Sequence, residues 1–110
     1  MQIIPYFLEH KKKYSGWRQT IHSHPELAFQ EVATSDFVAE RLHEFGLTVA
    51  RGIGKTGLVA TLKNGSSKRA IGIRADMDAL PIQELNDFAH KSKRPGVMHA
   101  CGHDGHTVML

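Results

Sequence analysis

Apolar positions over residues 4–22 recur at helical spacing. Ile4, Phe7, Leu8, Tyr14, Trp17 and Ile21 make one stripe and predict an amphipathic helix. Pro5 falls in its first turn, where the missing N–H is not needed. Glu9 and Lys13 stand four apart in the favourable order, so the Lys11–Lys13 run reads as a solvated face. Pro25 disfavours the helical conformation at His24, and the segment His22–Glu26 ends the helix. A second helix is predicted from about Glu31 to Phe45, with Ala33, Phe37, Val38, Leu42 and Phe45 buried and Gly46 just past its end. Leu47–Ala50 reads as a short strand. Gly52, Gly54 and Gly57 surround Lys55 in a turn. They are neither a dinucleotide fingerprint nor a phosphate loop, because strand-like Leu58 and Val59 follow where those motifs open a helix. Residues 58–62 and 70–75 predict two adjacent strands joined by a turn at Asn64–Ser67. Residues 80–95, with Pro81 and Pro95 as breakers, read as a loop with room for one helical turn. The chain stops at Leu110 inside what reads as the first turn of a further helix.

At 110 residues the chain fits one small domain, and 41% apolar with 23% charged residues excludes a disordered chain. No apolar run reaches the roughly 18 residues a membrane helix needs, so no membrane association is expected. The N-terminal charges follow the apolar stretch, the reverse of a secretory signal. The single cysteine forbids an internal disulfide, and a cytoplasmic setting is the simplest expectation. A net charge of +3 without basic–aromatic interleaving gives no footprint for nucleic acid.

The candidate chemistry is concentrated at Met98–His106, which holds three His, the one Cys and Asp104. Thiolate and imidazole are both strong ligands for borderline divalent ions. In an extended segment, residues two apart face one side, so Cys101 and His103 could meet one ion. Two alternatives stand beside this. Cys101 could be a small buried hydrophobe, or a nucleophile with His99, His103 or His106 as its base, although no local signature of cysteine proteases is present. A second cluster, Asp76-x-Asp78, follows the strand-like run at the place where a parallel sheet delivers side chains to a site; its alternative is a turn or helix cap. Two ligand-rich loops after apolar segments point to one cleft, where Asp76, Cys101 and His103 are expected to converge.

These residues carry a resemblance. Trp17-Arg18, His22-Ser23-His24-Pro25-Glu26, Gly57-Leu58-Val59-Ala60, the run from Ile73 to Ile82, and the run from Pro95 to Thr107 stand in the order found in the amidohydrolase branch of the M20 metallopeptidases, which includes aminoacylases and hippurate hydrolases. The resemblance implies an α/β fold: part of a three-layer α/β/α zinc-peptidase-like sandwich with a largely parallel sheet, two N-terminal helices preceding the strands. It implies Cys101 and His103 as metal ligands, Asp76 as a further member of the metal site, and Asp78 as the catalytic-site residue that orients a ligand. His24 is given no metal role. The implied cofactor is a pair of divalent ions (Zn, Mn, Co or Ni), and the implied reaction is hydrolysis of the amide bond of a small N-acyl amino acid, with water held by the ions and deprotonated by a Glu. In the family that Glu, further ligands and the lid domain through which many members dimerise follow the Cys-Gly-His-Asp motif. None of Glu26, Glu31, Glu40, Glu44 or Glu84 matches it. Residues 1–110 are therefore expected to be the N-terminal part of the catalytic domain, carrying part of the site; the alternative is a non-catalytic remnant or a partner-dependent fragment.

Overall fold

The computed structural model describes residues 3–110. The elements run α1 (Pro5–Glu9), α2 (Lys11–Ser23), α3 (Val32–Glu44), β1 (Thr48–Ile53), β2 (Gly57–Thr61) and α4 (His103–Met109). The single helix expected over 4–22 is divided at His10, whose ring Nδ1–H donates to the Tyr6 carbonyl at 2.9 Å. That side chain competes for the carbonyl at the helical i−4 position. Tyr6, Phe7 and Leu8 stay exposed, so the apolar stripe is buried only from α2 onward, ending on Ile21.

Helix α3 is turned partly away from the orientation expected: Phe37, Val38 and Leu42 of the predicted stripe are half-buried. Thr34, Ser35 and Ala39 are buried, whereas Ala33 and Phe45 are exposed. The cause lies at its N-terminus. Glu26 accepts hydrogen bonds from the Ala33 amide (3.0 Å), the Thr34 amide (2.7 Å) and the Thr34 hydroxyl (2.6 Å), which fixes the rotation of the first turn. The other end closes as the glycine pattern predicts. Gly46 has φ +76°, its amide donates to His43 and that of Leu47 to Leu42, the paired bonds of a Schellman motif.

The strands differ more. β1 and β2 form a two-stranded antiparallel hairpin, with Thr48 opposite Thr61 and a register irregularity between Arg51 and Ile53. Its turn is the glycine-rich segment around Lys55, so β2 pairs with the strand before it. Residues 70–75, expected to be its neighbour, form no strand. Ile71 and Ile73 are 91% and 75% exposed, because no other segment among the described residues pairs with this run. A buried strand is stabilised by its neighbours rather than by its own propensity. The sheet here is antiparallel, and the layered arrangement is represented by its helices.

The segment that follows is held by single bridges. Ala79 pairs in parallel with Leu27, and Leu80 in antiparallel with Met98, through Ala79 N–H to Glu26 at 2.7 Å and reciprocal Leu80–Met98 bonds at 2.9 and 3.0 Å. This brings the Asp76–Asp78 loop beside the His99–His103 turn.

Apolar burial is sparse. Ile21, Ala39, Ala79 and Val97, with Pro25, are buried, beside eight polar residues: His22, Ser23, Glu31, Thr34, Ser35, Glu84, His99 and Asp104. The radius of gyration, 15.3 Å, exceeds the roughly 13 Å typical of a 110-residue domain. The polar groups therefore bear much of the tertiary structure. His22 is the hub. Its Nδ1 meets Asp104 Oδ2 at 2.8 Å and its Nε2 meets Glu84 Oε1 at 3.1 Å. Two carboxylate acceptors are both satisfied by a ring carrying a proton on each nitrogen. Arg18, one helical turn before His22, donates to the same Asp104 oxygen at 3.0 Å. Glu84 also accepts from Asn86 at 3.0 Å and from the Ser92 amide at 2.5 Å. Burial by itself would raise the Glu84 carboxyl, but these bonds and the His22 charge bring it down to about 2. Burial likewise opposes the charge on Asp104, and bonds from His22 and the Gly105 amide hold its carboxyl below the ordinary range.

Two outcomes are expected. Glu26→Ala removes three acceptor contacts at the start of α3 and should cost about 1–2 kcal/mol in urea denaturation. Glu84 binds its proton less readily folded than unfolded, so its contribution is complete above about pH 4.5 and is lost as pH falls toward about 2. Melting temperature measured against pH should therefore drop across that window, and Glu84→Gln should flatten the drop.

Candidate metal centre

Gly102 begins helix α4 with φ +84°, a left-handed conformation that side chains with a Cβ rarely adopt. The segment is thus not extended through Cys101 and His103, as the two-residue spacing suggested. Cys101 lies before the turn and is exposed, while His103 is the first helical residue.

His103 is held from behind. Its Nδ1 lies 2.9 Å from Asp78 Oδ1 and 3.1 Å from the Asp78 carbonyl oxygen. A carbonyl oxygen only accepts, so Nδ1 carries the proton and donates to Asp78. In the neutral ring this leaves the lone pair on Nε2, which faces Asp76 Oδ2 at 3.9 Å. Asp76 is fixed through its backbone, the Thr107 hydroxyl donating to its carbonyl at 2.9 Å, and its carboxylate pairs with the exposed Arg74. A carboxylate holding the far nitrogen of a histidine is the arrangement that orients imidazole ligands toward metals.

The donor set fits a divalent ion in part. A lone pair and a carboxylate oxygen face each other across 3.9 Å, and donors of one tetrahedral ion stand about 3.4 Å apart, so a small closure would let both reach it. Cys101 does not complete the trio. No three His, Cys, Asp or Glu side chains among the described residues are gathered into a set that could hold an ion. Of the four expected site residues, the structure brings Asp76, Asp78 and His103 together, and Cys101 is exposed and not gathered with them.

Behind the site lies His99, 4% exposed, with neither ring nitrogen hydrogen-bonded among the described residues. Burial pushes its pKa down, partly opposed by the nearby Asp104 charge. Its ring centroid is 6.2 Å from that of His22. Sequence spacing gives no role to Arg18, His22 or Glu84, and gives His99 and Asp104 only their places in the Met98–His106 cluster; the structure buries His22, Glu84, His99 and Asp104 beside a half-buried Arg18. The available signal was Arg18 and His22, a charged pair four apart next to the apolar stripe of α2.

No helix among the described residues is long and apolar enough to cross a membrane. Residues 72–110 match the profile of Peptidase family M20/M25/M40. The hippurate hydrolase of Campylobacter jejuni is 52% identical over all 110 residues, which make up 29% of its own length. The N-acyl-L-amino acid amidohydrolase of Geobacillus stearothermophilus is 54% identical over 93% of this chain and 28% of its own. Among solved structures, Bacillus subtilis YXEP, a dinuclear metal binding peptidase from the M20 family, superposes with a TM-score of 0.83 at 43% identity, over 88% of this chain and 28% of that one. A structure from methicillin-resistant Staphylococcus aureus gives 0.89 at 38% identity over 94% of this chain and 28% of that one. The chain thus spans under a third of the length of the curated relatives it matches. Over residues 72–110 the chain matches the M20 peptidases, and in its α/β fold and motifs it is similar to M20 relatives along nearly all of its length.

Proposed function

We propose that this chain supplies part of the metal site of a cytosolic amidohydrolase acting on N-acyl amino acids. The observation that carries the reading is His103, held through Nδ1 by Asp78 with Nε2 turned toward Asp76. Hippurate hydrolase and N-acyl-L-amino acid amidohydrolase among the relatives support the substrate class, a carboxylic acid joined by an amide to an amino acid. The dinuclear neighbour supports two ions.

His103 and Cys101 are the proposed ligands, with Asp76 at the same site and Asp78 as the positioning residue. Asp78 keeps the His103 ring in one tautomer, so its lone pair is already aimed before an ion arrives. The Cys101 thiol is exposed and stands two residues before His103, on the other side of Gly102. The chemistry such ions supply is Lewis acidity toward an amide carbonyl and acidification of water. The small donor set implies weak binding by the chain alone, since most coordination positions fall to water.

Metal titration tests the ligand assignment. Cys101→Ser and His103→Ala should each abolish Co²⁺ binding, and Asp78→Ala should weaken it about 10–100-fold. Unchanged binding in His103→Ala would refute the site. For activity, the 110-residue chain with added Zn²⁺, Mn²⁺ or Co²⁺ should hydrolyse hippurate at least ~10²-fold more slowly than the full-length Campylobacter relative. Among the described residues the carboxylates at the proposed site, Asp76 and Asp78, are engaged with Arg74 and His103, and lacking a general base commonly costs ~10²–10⁴-fold. Turnover that survives a chelator but stops on thiol alkylation would instead identify Cys101 as a nucleophile.

A further inference from the structure

We infer that His22, clamped between Asp104 and Glu84, is a positioning residue for the metal-ligand turn, fixing the start of α4 and through it the aim of His103. The inference rests on the metal-site reading above but concerns residues outside the proposed ligand set.

The geometry is as follows. Asp104 immediately follows His103 in the first turn of α4 and is 3% exposed. Its side chain points inward to α2, where one oxygen meets both His22 Nδ1 (2.8 Å) and Arg18 Nη1 (3.0 Å). His103 leaves the same turn in the other direction, toward Asp78. Adjacent residues of one helical turn are thus tied to different parts of the chain. With Asp104 held, the turn cannot rotate about the helix axis without breaking a buried charge-assisted bond. With His103 held by Asp78, the same rotation would withdraw Nδ1 from its acceptors.

The start of α4 needs such a tether. Gly102 makes no side-chain cap, and the helix has seven residues, too few to be stable by itself. His22 is fixed in turn on its far side by Glu84, which the Ser92 amide and Asn86 hold in place. His99 adds no hydrogen bond and fills the space beside the His22 ring. The clamp therefore runs from α2 through His22 and Asp104 to the residue beside His103. Arg18 and His22 offset the charges of Asp104 and Glu84, and no carboxylate of the group is buried without a partner.

The test uses the 110-residue chain and two readouts. One, taken without metal, is the ring ¹⁵N spectrum of His103, which reports whether its proton stays on Nδ1. The other is the thiolate-to-cobalt absorption band during Co²⁺ titration. His22→Gln is the principal variant. Glu84→Gln, which removes only the far carboxylate, serves if His22→Gln does not fold. Glu26→Ala is the stability control, since Glu26 acts at α3 and touches nothing in α4. All are compared at a temperature well below each melting point.

The expected result is that the folded His22 or Glu84 variant loses the single Nδ1–H form of His103 and binds Co²⁺ at least tenfold more weakly. Glu26→Ala should melt earlier yet keep both signals. A His22 or Glu84 variant that keeps the wild-type His103 spectrum and Co²⁺ affinity would overturn the inference, as would equal losses in Glu26→Ala. If the unmutated chain binds no Co²⁺, the ligand assignment fails by itself, and the metal-free His103 spectrum still decides the role of His22.

Discussion

One imidazole joins three segments at a single point. His22 reaches Asp104 through Nδ1 and Glu84 through Nε2, so helix α2, the 80–95 loop and helix α4 meet on a single ring. Buried carboxylates are tolerated only where charge and hydrogen bonds replace the water they lose. Here Arg18, Asn86 and the Ser92 amide complete what His22 begins. The arrangement is asymmetric in its energetics. Exchanging the whole group for apolar side chains of the same shape could be nearly neutral, whereas deleting one member leaves a buried charge unopposed. With so few apolar side chains buried, the fold depends on this group staying complete.

The site is built on the outer side of the same construction. Bridges at Ala79 and Leu80 bring the Asp76–Asp78 loop against the turn at Gly102, and Asp78 then holds the His103 ring in one orientation. Cys101 is less constrained, because it precedes the left-handed glycine and makes no side-chain hydrogen bond among those described. The imidazole is thus held by Asp78 on one side of the backbone reversal at Gly102, and the thiol is exposed on the other.

Local signals in the sequence match the structure where the physics is local. Gly46 ends α3 with the paired bonds its position suggests, Pro25 lies past the end of α2, and the glycines around Lys55 form a turn. Reading failed where the decisive partner is remote. The rotation of α3 is set by Glu26, which apolar periodicity cannot register. Residues 70–75 have the composition of a buried strand, yet a strand exists only with neighbours, and this run finds none. For the site, the motif residues Asp76, Asp78 and His103 were legible as a cluster. Spacing argued wrongly that Cys101 and His103 share an extended face, since the intervening glycine redirects the chain. The His22 group escaped notice because its members lie 62 and 82 residues apart, and nothing short-range in the sequence pairs them.

Those separations also bear on how the chain folds. Helices α2 and α3 and the hairpin form from near neighbours, but the His22 contacts require Glu84 and Asp104 to be brought back across most of the chain. The loop-closure entropy for such distances is met before the contact returns anything. Strengthening a contact that forms after the folding transition state slows escape from the native basin far more than it speeds arrival. A clamp closed at that stage acts as a latch: it sets how long a folded chain lasts, while the rate of arrival is left to contacts between near neighbours.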